Sequence, residues 1–251
     1  MKRLEGRVAL VTGAARGIGA AIAAELASHG ARVAVSDLDD PGAVVELIRR
    51  QGGEAAGIRA DVTDREQVEA MVDEAVRRFG NLAVLVNNAG LFATLRYKPL
   101  LEIDEDEWDE VMRVNVRGPF QCVKAALPSM KRLGFGKIIN LSSSTAFLGP
   151  SHLLHYVSSK GAVVAMTRAL ARELGPDRIC VNSLALGLTL SERVAGNPEF
   201  EHRRQYNLQA RSLKRDQSME DCIGAAVFLA SAESDFVTGQ NIVIDGGVVL
   251  R

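Results

Sequence analysis

The chain has no apolar run long enough to span a membrane, no surplus of either charge, and only three cysteines. A spanning helix needs about 20 consecutive apolar residues, so a membrane protein is not expected. Thirty basic against thirty-one acidic residues leave a formal charge of −1. The basic footprint of a nucleic-acid binder is missing. The doublets Arg49-Arg50, Arg77-Arg78 and Arg203-Arg204 are scattered among acids and read as solvated helix faces. Cys122, Cys180 and Cys222 are far apart, odd in number, without metal-ligand spacing and without a neighbouring His. That pattern argues against a disulfide framework, a metal site or a thiol nucleophile, and predicts a reduced cytoplasmic protein. The opening MKRLEGRVALVTG has too short an apolar stretch for a secretory signal. No linker, repeat or shift in composition divides the chain, so residues 1–251 read as one domain.

What is present is alternation. Short apolar runs at 8–11, 32–36, 55–60, 83–86, 137–141, 179–184 and 241–244 alternate with helix-patterned stretches at 17–29, 41–51, 65–79, 105–133, 156–174 and 219–230. The strand candidates are nearly continuous in Val, Ile, Leu and Ala, as parallel strands covered on both faces are. Asp64 is placed to cap the third helix, and Gly30 and Gly80 to end the first and third. The order predicts an α/β fold: a doubly wound parallel sheet with helices on both faces and right-handed crossovers. One long stretch, 187–218, lacks a strand but holds Pro198 and a polar helix-like piece at 199–210. It follows the sixth strand, at the sheet's carboxyl edge where ligands bind, and reads as a substrate lid.

The first strand runs into Thr12-Gly13-Ala14-Ala15-Arg16-Gly17-Ile18-Gly19 and then an Ala-rich helix. Glycines let backbone approach a pyrophosphate, whose charge sits against unpaired helix N–H groups. A glycine triplet alone is weak evidence; its place between a first strand and a first helix is what the mechanism requires. Asp37 closes the second strand 18 positions after Gly19. A carboxylate there accepts hydrogen bonds from the adenosine 2′-hydroxyl and repels a 2′-phosphate. Leu38 follows it, where an Arg would favour the phosphate, so NAD is expected rather than NADP. Arg16 is the counter-evidence, a cation in the loop able to reach a 2′-phosphate. Asp61-Val62 after the third strand and Asn87-Asn88-Ala89-Gly90 after the fourth are equally good turn sequences and cofactor contacts.

Tyr156 and Lys160, four apart at a helix start, project from one face. The spacing alone is common. Upstream the fifth strand ends in Asn140-Leu141-Ser142-Ser143-Ser144, and 13 positions separate Ser143 from Tyr156. With the glycine loop, Asn87–Gly90, Asn115 and the ending Asp245-Gly246-Gly247, the whole chain resembles the short-chain dehydrogenase/reductase family. The resemblance implies a Rossmann-type sheet of seven strands and commonly a homotetramer. It implies that Tyr156 is the general acid/base, that Lys160 lowers the phenol's pKa and binds the nicotinamide ribose, and that Ser143 holds the reacting oxygen. Asn115, otherwise an ordinary helix residue, would retain a water for proton relay. Gly187, Thr189 and Ser191 would face the nicotinamide end, alongside the loop residues Gly13, Arg16, Gly17, Ile18 and Gly19 and the turns Asp61-Val62 and Asn88–Gly90. The chain departs from the family pattern at Leu186, where proline is usual, and at Ser191, where threonine is usual. Without proline's locked backbone angle the loop is expected to be less constrained.

Substrate contacts are expected from 91–94, 145–154 and 187–211, with Thr145, Leu153 and Leu188 joining Ser143 and Tyr156. The middle segment is largely apolar and holds no cluster of Arg or Lys. That predicts a mostly apolar, uncharged secondary alcohol or ketone, cyclic and aromatic ones included. His152 and His155 flank Tyr156 but read as packing or surface residues, since the Tyr–Lys–Ser set is complete without them. Two other functions stay open: an NADPH-dependent 3-oxoacyl-carrier-protein-type reductase, which the Arg16 loop resembles, and a non-catalytic dinucleotide-sensing protein.

Overall fold

The computed structural model describes residues 2–192, 194–195 and 197–250. Seven strands form one parallel sheet: β1 (Val8–Thr12), β2 (Arg32–Asp37), β3 (Glu54–Arg59), β4 (Val84–Asn87), β5 (Gly136–Ser143), β6 (Ile179–Leu186) and β7 (Asn241–Ile244), in the order β3-β2-β1-β4-β5-β6-β7. The doubly wound, Rossmann-type arrangement expected from the alternating pattern is present. Winding reverses between β1 and β4, which pair side by side from Ala9 opposite Val84 to Val11 opposite Val86. In such sheets the crevice opens at this switch point.

The strands are apolar throughout because each serves two cores. Ala9, Val11, Val84, Val86, Ile139 and Leu141 face one layer, formed with Ile22, Leu26 and Val45 from α1 (Gly17–Ser28) and α2 (Gly42–Arg50) and with Ala226 and Val227 from α9 (Glu220–Ala230). Their neighbours Val8, Leu10, Leu85 and Ile138 face the other, against α3 (Arg65–Phe79), α5 (Gly118–Leu133) and α7 (Leu154–Leu174). Asp64 caps α3 as expected, accepting the N–H groups of Glu66 and Gln67, and Gly30 and Gly80 end their helices at φ of +93° and +92°.

Several boundaries differ from expectation by a residue or two, and two larger differences shape the site. The single helix expected over 105–133 is α4 (Glu105–Met112) and α5, joined by a π-helical turn at Arg113–Arg117. The Gly118 N–H reaches back five residues to Arg113. Pro119 has no N–H to offer the Asn115 carbonyl four residues earlier, which weakens the α pattern here. Strand β6 continues two residues beyond expectation, through Leu186, which pairs with Ser143 of β5 and Ile244 of β7. Position 186, where proline would have fixed one angle, is therefore held from both sides by the sheet, and the expected loosening is absent.

Two short or separate helices complete the carboxyl edge: α6 (Thr145–Leu148) and α8 (Pro198–Ala210), the latter inside the long strandless connection. Among the described residues no helix is long and apolar enough to cross a membrane. Leu85, fully buried in the central strand β4, gives a direct test of the two-layer core. Leu85→Ala is expected to lower stability by about 2–5 kcal/mol, the usual range for such a truncation, as measured by the shift of a urea unfolding curve.

Candidate active site

One cleft of about 600 Å³ lies along the carboxyl edge. At the switch point its floor is a backbone-to-backbone contact. Gly13 sits at φ +62°, and a Cβ there would lie 2.6 Å from the Ala89 Cα. A Cβ on Gly19 would overlap the Gly13 carbonyl oxygen and the Asn88 amide. The Asn88 Nδ2 donates to the carbonyls of Thr12 (2.9 Å) and Gly13 (2.7 Å), while Thr12 Oγ1 accepts the N–H groups of Asn88 and Ala89, both at 3.2 Å. Asn88 lines the cleft, and its amide nitrogen ties the glycine loop to the β4 turn. The first turn of α1 carries no acid and no side-chain cap, leaving helix N–H groups for an anion.

The outer end of this half is acidic. Asp37 Oδ2 accepts the Ala15 N–H (2.9 Å) and Oδ1 the Asp39 N–H (3.1 Å). Arg16, the one cation of the glycine loop, is ion-paired to Asp39. Asp61 accepts both the N–H and the hydroxyl of Thr63 at 2.8 Å, and Gln121 holds the Val62 carbonyl at 2.8 Å. Leu38, Asp61, Val62, Ala89 and Gly90 all line the cleft, as do Gly17 and Ile18.

The other half gathers around the ends of β5 and β6. Lys160 Nζ donates to the Leu141 carbonyl at 2.8 Å and lies 5.7 Å from the centre of the Tyr156 ring, one helical turn away. Ser142 Oγ returns a hydrogen bond to the Lys160 carbonyl at 3.0 Å. Ser143 Oγ accepts the Thr145 N–H at 3.2 Å and donates to the Leu186 carbonyl at 3.3 Å. Burial pulls Lys160 down to about 8. It pushes the Tyr156 phenol up, against a hydrogen bond with Ser143 that favours the phenolate. Gly187, Leu188, Thr189, Ser191, Thr145 and Leu153 share this half of the lining.

Asn115 does not line the cleft, and neither does Asn87, which is buried and donates to Asn140. Asn115 lies buried in the π-turn, one layer behind. Its Oδ1 accepts the Leu91 N–H at 2.7 Å, and its Nδ2 donates to the Leu91 carbonyl (3.2 Å) and Ser159 Oγ (3.0 Å). A Cβ on Gly90 would come within 3.1 Å of Asn115 Oδ1 and 3.6 Å of Lys160 Nζ, so the β4 turn, the π-turn and α7 meet at that glycine. His155 points away from the cleft: it is fully buried, with Nε2 3.4 Å from Glu107, itself ion-paired to Lys98.

Phe92, Phe200 and Arg203 fall within the expected 91–94 and 187–211 ranges, but sequence reasoning missed Tyr97 and the contacts that join them. Phe92 packs on Tyr156 with ring centres 4.9 Å apart, and on Phe200 of α8 at 5.2 Å. Tyr97 meets Phe200 edge-on at 6.2 Å, and Arg203 lies over the Tyr97 ring at 4.7 Å. Arg203 lines the cleft. It is therefore not the solvated half of a surface doublet. Only the pairing of α8 with a turn a hundred residues earlier reveals this, and no local pattern carries it.

A parallel sheet with a glycine loop at its switch point and a Ser–Tyr–Lys group beside it defines a Rossmann-type oxidoreductase using a nicotinamide cofactor. The chain belongs to the short-chain dehydrogenase/reductase family. Residues 13–249 match the family model described as Enoyl-(Acyl carrier protein) reductase. The 3-oxoacyl-[acyl-carrier-protein] reductase FabG of Staphylococcus aureus is 39% identical over 245 residues, spanning 96% of this chain and 98% of the relative. The trans-4-hydroxycyclohexanecarboxylate dehydrogenase of Sinomonas cyclohexanicum is 39% identical over 253 residues, spanning 98% and 93%. The crystal structure of a short-chain type dehydrogenase/reductase from Mycobacterium marinum superposes with a TM-score of 0.92 at 35% identity, covering 99% of this chain and 97% of the other.

The Gly13–Ala89 contact is testable. Gly13→Ala forces a side chain into a positive-φ position, costing about 1–2 kcal/mol, and displaces the β4 turn. NADH affinity is expected to fall tenfold or more by fluorescence titration, with circular dichroism still showing an α/β fold.

Proposed function

We propose that the protein transfers a hydride between NAD(H) and an apolar secondary alcohol or its ketone, with Tyr156 as general acid/base. The observation that carries this reading is the convergence of Ser143, Tyr156 and Lys160 on one end of the cleft, where the wall is apolar. The cradle fits a dinucleotide: at Gly13 and Gly19 it has no room for a Cβ, and an uncapped helix start faces it. Gly13, Gly17 and Gly19 would take the pyrophosphate, Asp37 the adenosine ribose, and Lys160 the nicotinamide ribose. Gly187, Thr189 and Ser191 would border the ring. A nicotinamide held there would supply the hydride acceptor for oxidation and the hydride donor for reduction.

The chain's own residues handle the proton. In oxidation Tyr156 Oη takes it from the alcohol oxygen; in reduction it gives it back. Ser143 Oγ, held by the Thr145 N–H, would turn its O–H from the Leu186 carbonyl to the same oxygen and fix its position. The Lys160 ammonium favours the phenolate that burial opposes. Asn115 shapes the site from behind by gripping both backbone groups of Leu91. Residues 187–218 act as the lid, with Phe200 closing on Phe92.

NAD is favoured over NADP by the charge at the adenosine end. Asp37 and Asp39 flank it, and Arg16 is already paired with Asp39, so a 2′-phosphate would meet net negative charge. A second reading, reduction of 3-oxoacyl thioesters with NADPH, draws on the FabG relatives and on Arg16. The Arg16–Asp39 pair weighs against it. The ring-sized hydroxy acid named for the Sinomonas relative supports a cyclic secondary alcohol.

A panel of cyclic and aromatic secondary alcohols, their ketones and a 3-oxoacyl pantetheine thioester, assayed with NAD and NADP in both directions, separates the two readings. Tyr156→Phe is expected to lower kcat/KM by about 10²–10⁴-fold while NADH still binds; unchanged turnover would remove Tyr156 from the chemistry. Asp37→Ser is expected to narrow the NAD-over-NADP ratio of kcat/KM by about tenfold or more, the loss of a like-charge repulsion of roughly 1.4 kcal/mol. An unaltered ratio would mean that Asp37 does not select the cofactor.

A further inference from the structure

Helix α8 carries adjacent arginines in opposite circumstances. Arg204 is held by two carboxylates, with Nη2 2.8 Å from Asp216 and Nη1 3.4 Å from Glu201. Arg203 turns the other way, into the cleft. Among the described side chains no carboxylate pairs with it. Its guanidinium lies over the Tyr97 ring at 4.7 Å and donates to the Ser151 carbonyl at 3.4 Å, a long contact. A guanidinium over a ring still has N–H groups for other partners, and their planar fork matches a carboxylate. Beside apolar rings a ligand carboxylate would be a well-matched partner for this half-buried cation.

The position of that cation relative to the chemistry is set by three rings. Phe92 touches Tyr156, Phe200 touches Phe92, and Tyr97 touches Phe200 before Arg203 is reached. Aromatic rings thus link the reacting hydroxyl to the cation.

We propose that Arg203 binds a carboxylate on the substrate, so that the alcohol is a hydroxy acid, and the ketone an oxo acid, with an apolar ring or chain between the two groups. This rests on the alcohol-oxidising reading above and replaces its uncharged substrate with a singly charged one. The carboxylate is a spectator. In oxidation the carbinol C–H bond breaks and its electron pair leaves as hydride to NAD, the O–H proton passes to Tyr156, and the C=O bond forms.

The test compares 4-hydroxycyclohexanecarboxylate, its methyl ester and cyclohexanol, each with NAD. In the wild type the acid-to-ester ratio of kcat/KM is expected to be about tenfold or more, carried by KM, as a charge-assisted hydrogen bond gives. In Arg203→Gln the ratio is expected to collapse towards one, and in Arg203→Lys to fall between. A binding arm needs no turnover: cyclohexanecarboxylate, titrated into the enzyme–NADH complex by fluorescence, is expected to bind at least tenfold more weakly to Arg203→Gln, and cyclohexanecarboxamide to change little. A wild-type ratio near one, or a ratio retained in Arg203→Gln, overturns the carboxylate assignment while leaving the alcohol reading in place. If none of the three alcohols is oxidised and a 3-oxoacyl pantetheine thioester is reduced instead, both fail. An Arg203→Gln loss seen only with that thioester assigns the cation to the pantetheine arm and overturns the proposal equally.

Discussion

The ammonium of Lys160, buried and seated on the Leu141 carbonyl at 2.8 Å, is the charge around which the site is assembled. A buried cation must be met by polar groups, and meeting it draws four segments together. The end of β5 supplies the carbonyl, and Ser142 ties that strand end back to the helix through the Lys160 carbonyl. The β4 turn passes so close that position 90 has little room for a side chain between Asn115 and Lys160. The π-turn places Asn115 against Leu91, with Ser159 of α7 as its further partner. Burial acts on the neighbouring titratable groups in opposite directions, pulling Lys160 down to about 8 and pushing Tyr156 up.

The two ends of the cleft are matched to different chemistry by the same sheet. The winding reversal between β1 and β4 opens a crevice, and glycines at 13 and 19 let its two lips touch backbone to backbone. On the β2 side the lining is acidic, with its loop cation neutralised by Asp39. On the β5–β6 side it is aromatic and aliphatic, closed by Phe200, which is 3% exposed. On the proposed reading, cofactor choice and substrate choice would be governed by separate groups, Asp37 with Asp39 in one case and α8 in the other.

The sheet was legible because burial on both faces writes a nearly unbroken apolar run into each strand, as at Val8–Thr12 and Ile179–Leu186. Gly13, Gly19, Asp37, Ser143, Tyr156 and Lys160 were legible because each sits at or just beyond a strand's carboxyl end, or on the first turns of the following helix. Three features were not. The π-turn depends on Pro119 and on the Asn115–Leu91 contact across 24 residues, while the surrounding sequence is ordinary helix. The extension of β6 through Leu186 depends on partners in β5 and β7. The Arg203–Tyr97 stack joins two surface-like segments whose proximity no periodicity encodes.

The proton role of the Tyr156–Lys160 pair is tested most directly by the pH dependence of kcat/KM at saturating cofactor, in both directions, for the wild type and Lys160→Met. Oxidation needs the phenolate and should rise with pH, while reduction needs the phenol and should fall, about one shared apparent pKa below the ~10 of a free phenol. Removing the cation should move both limbs upward by about one unit or more. Limbs that stay where they were in Lys160→Met, or a wild-type limb at or above the free phenol value, would contradict the account.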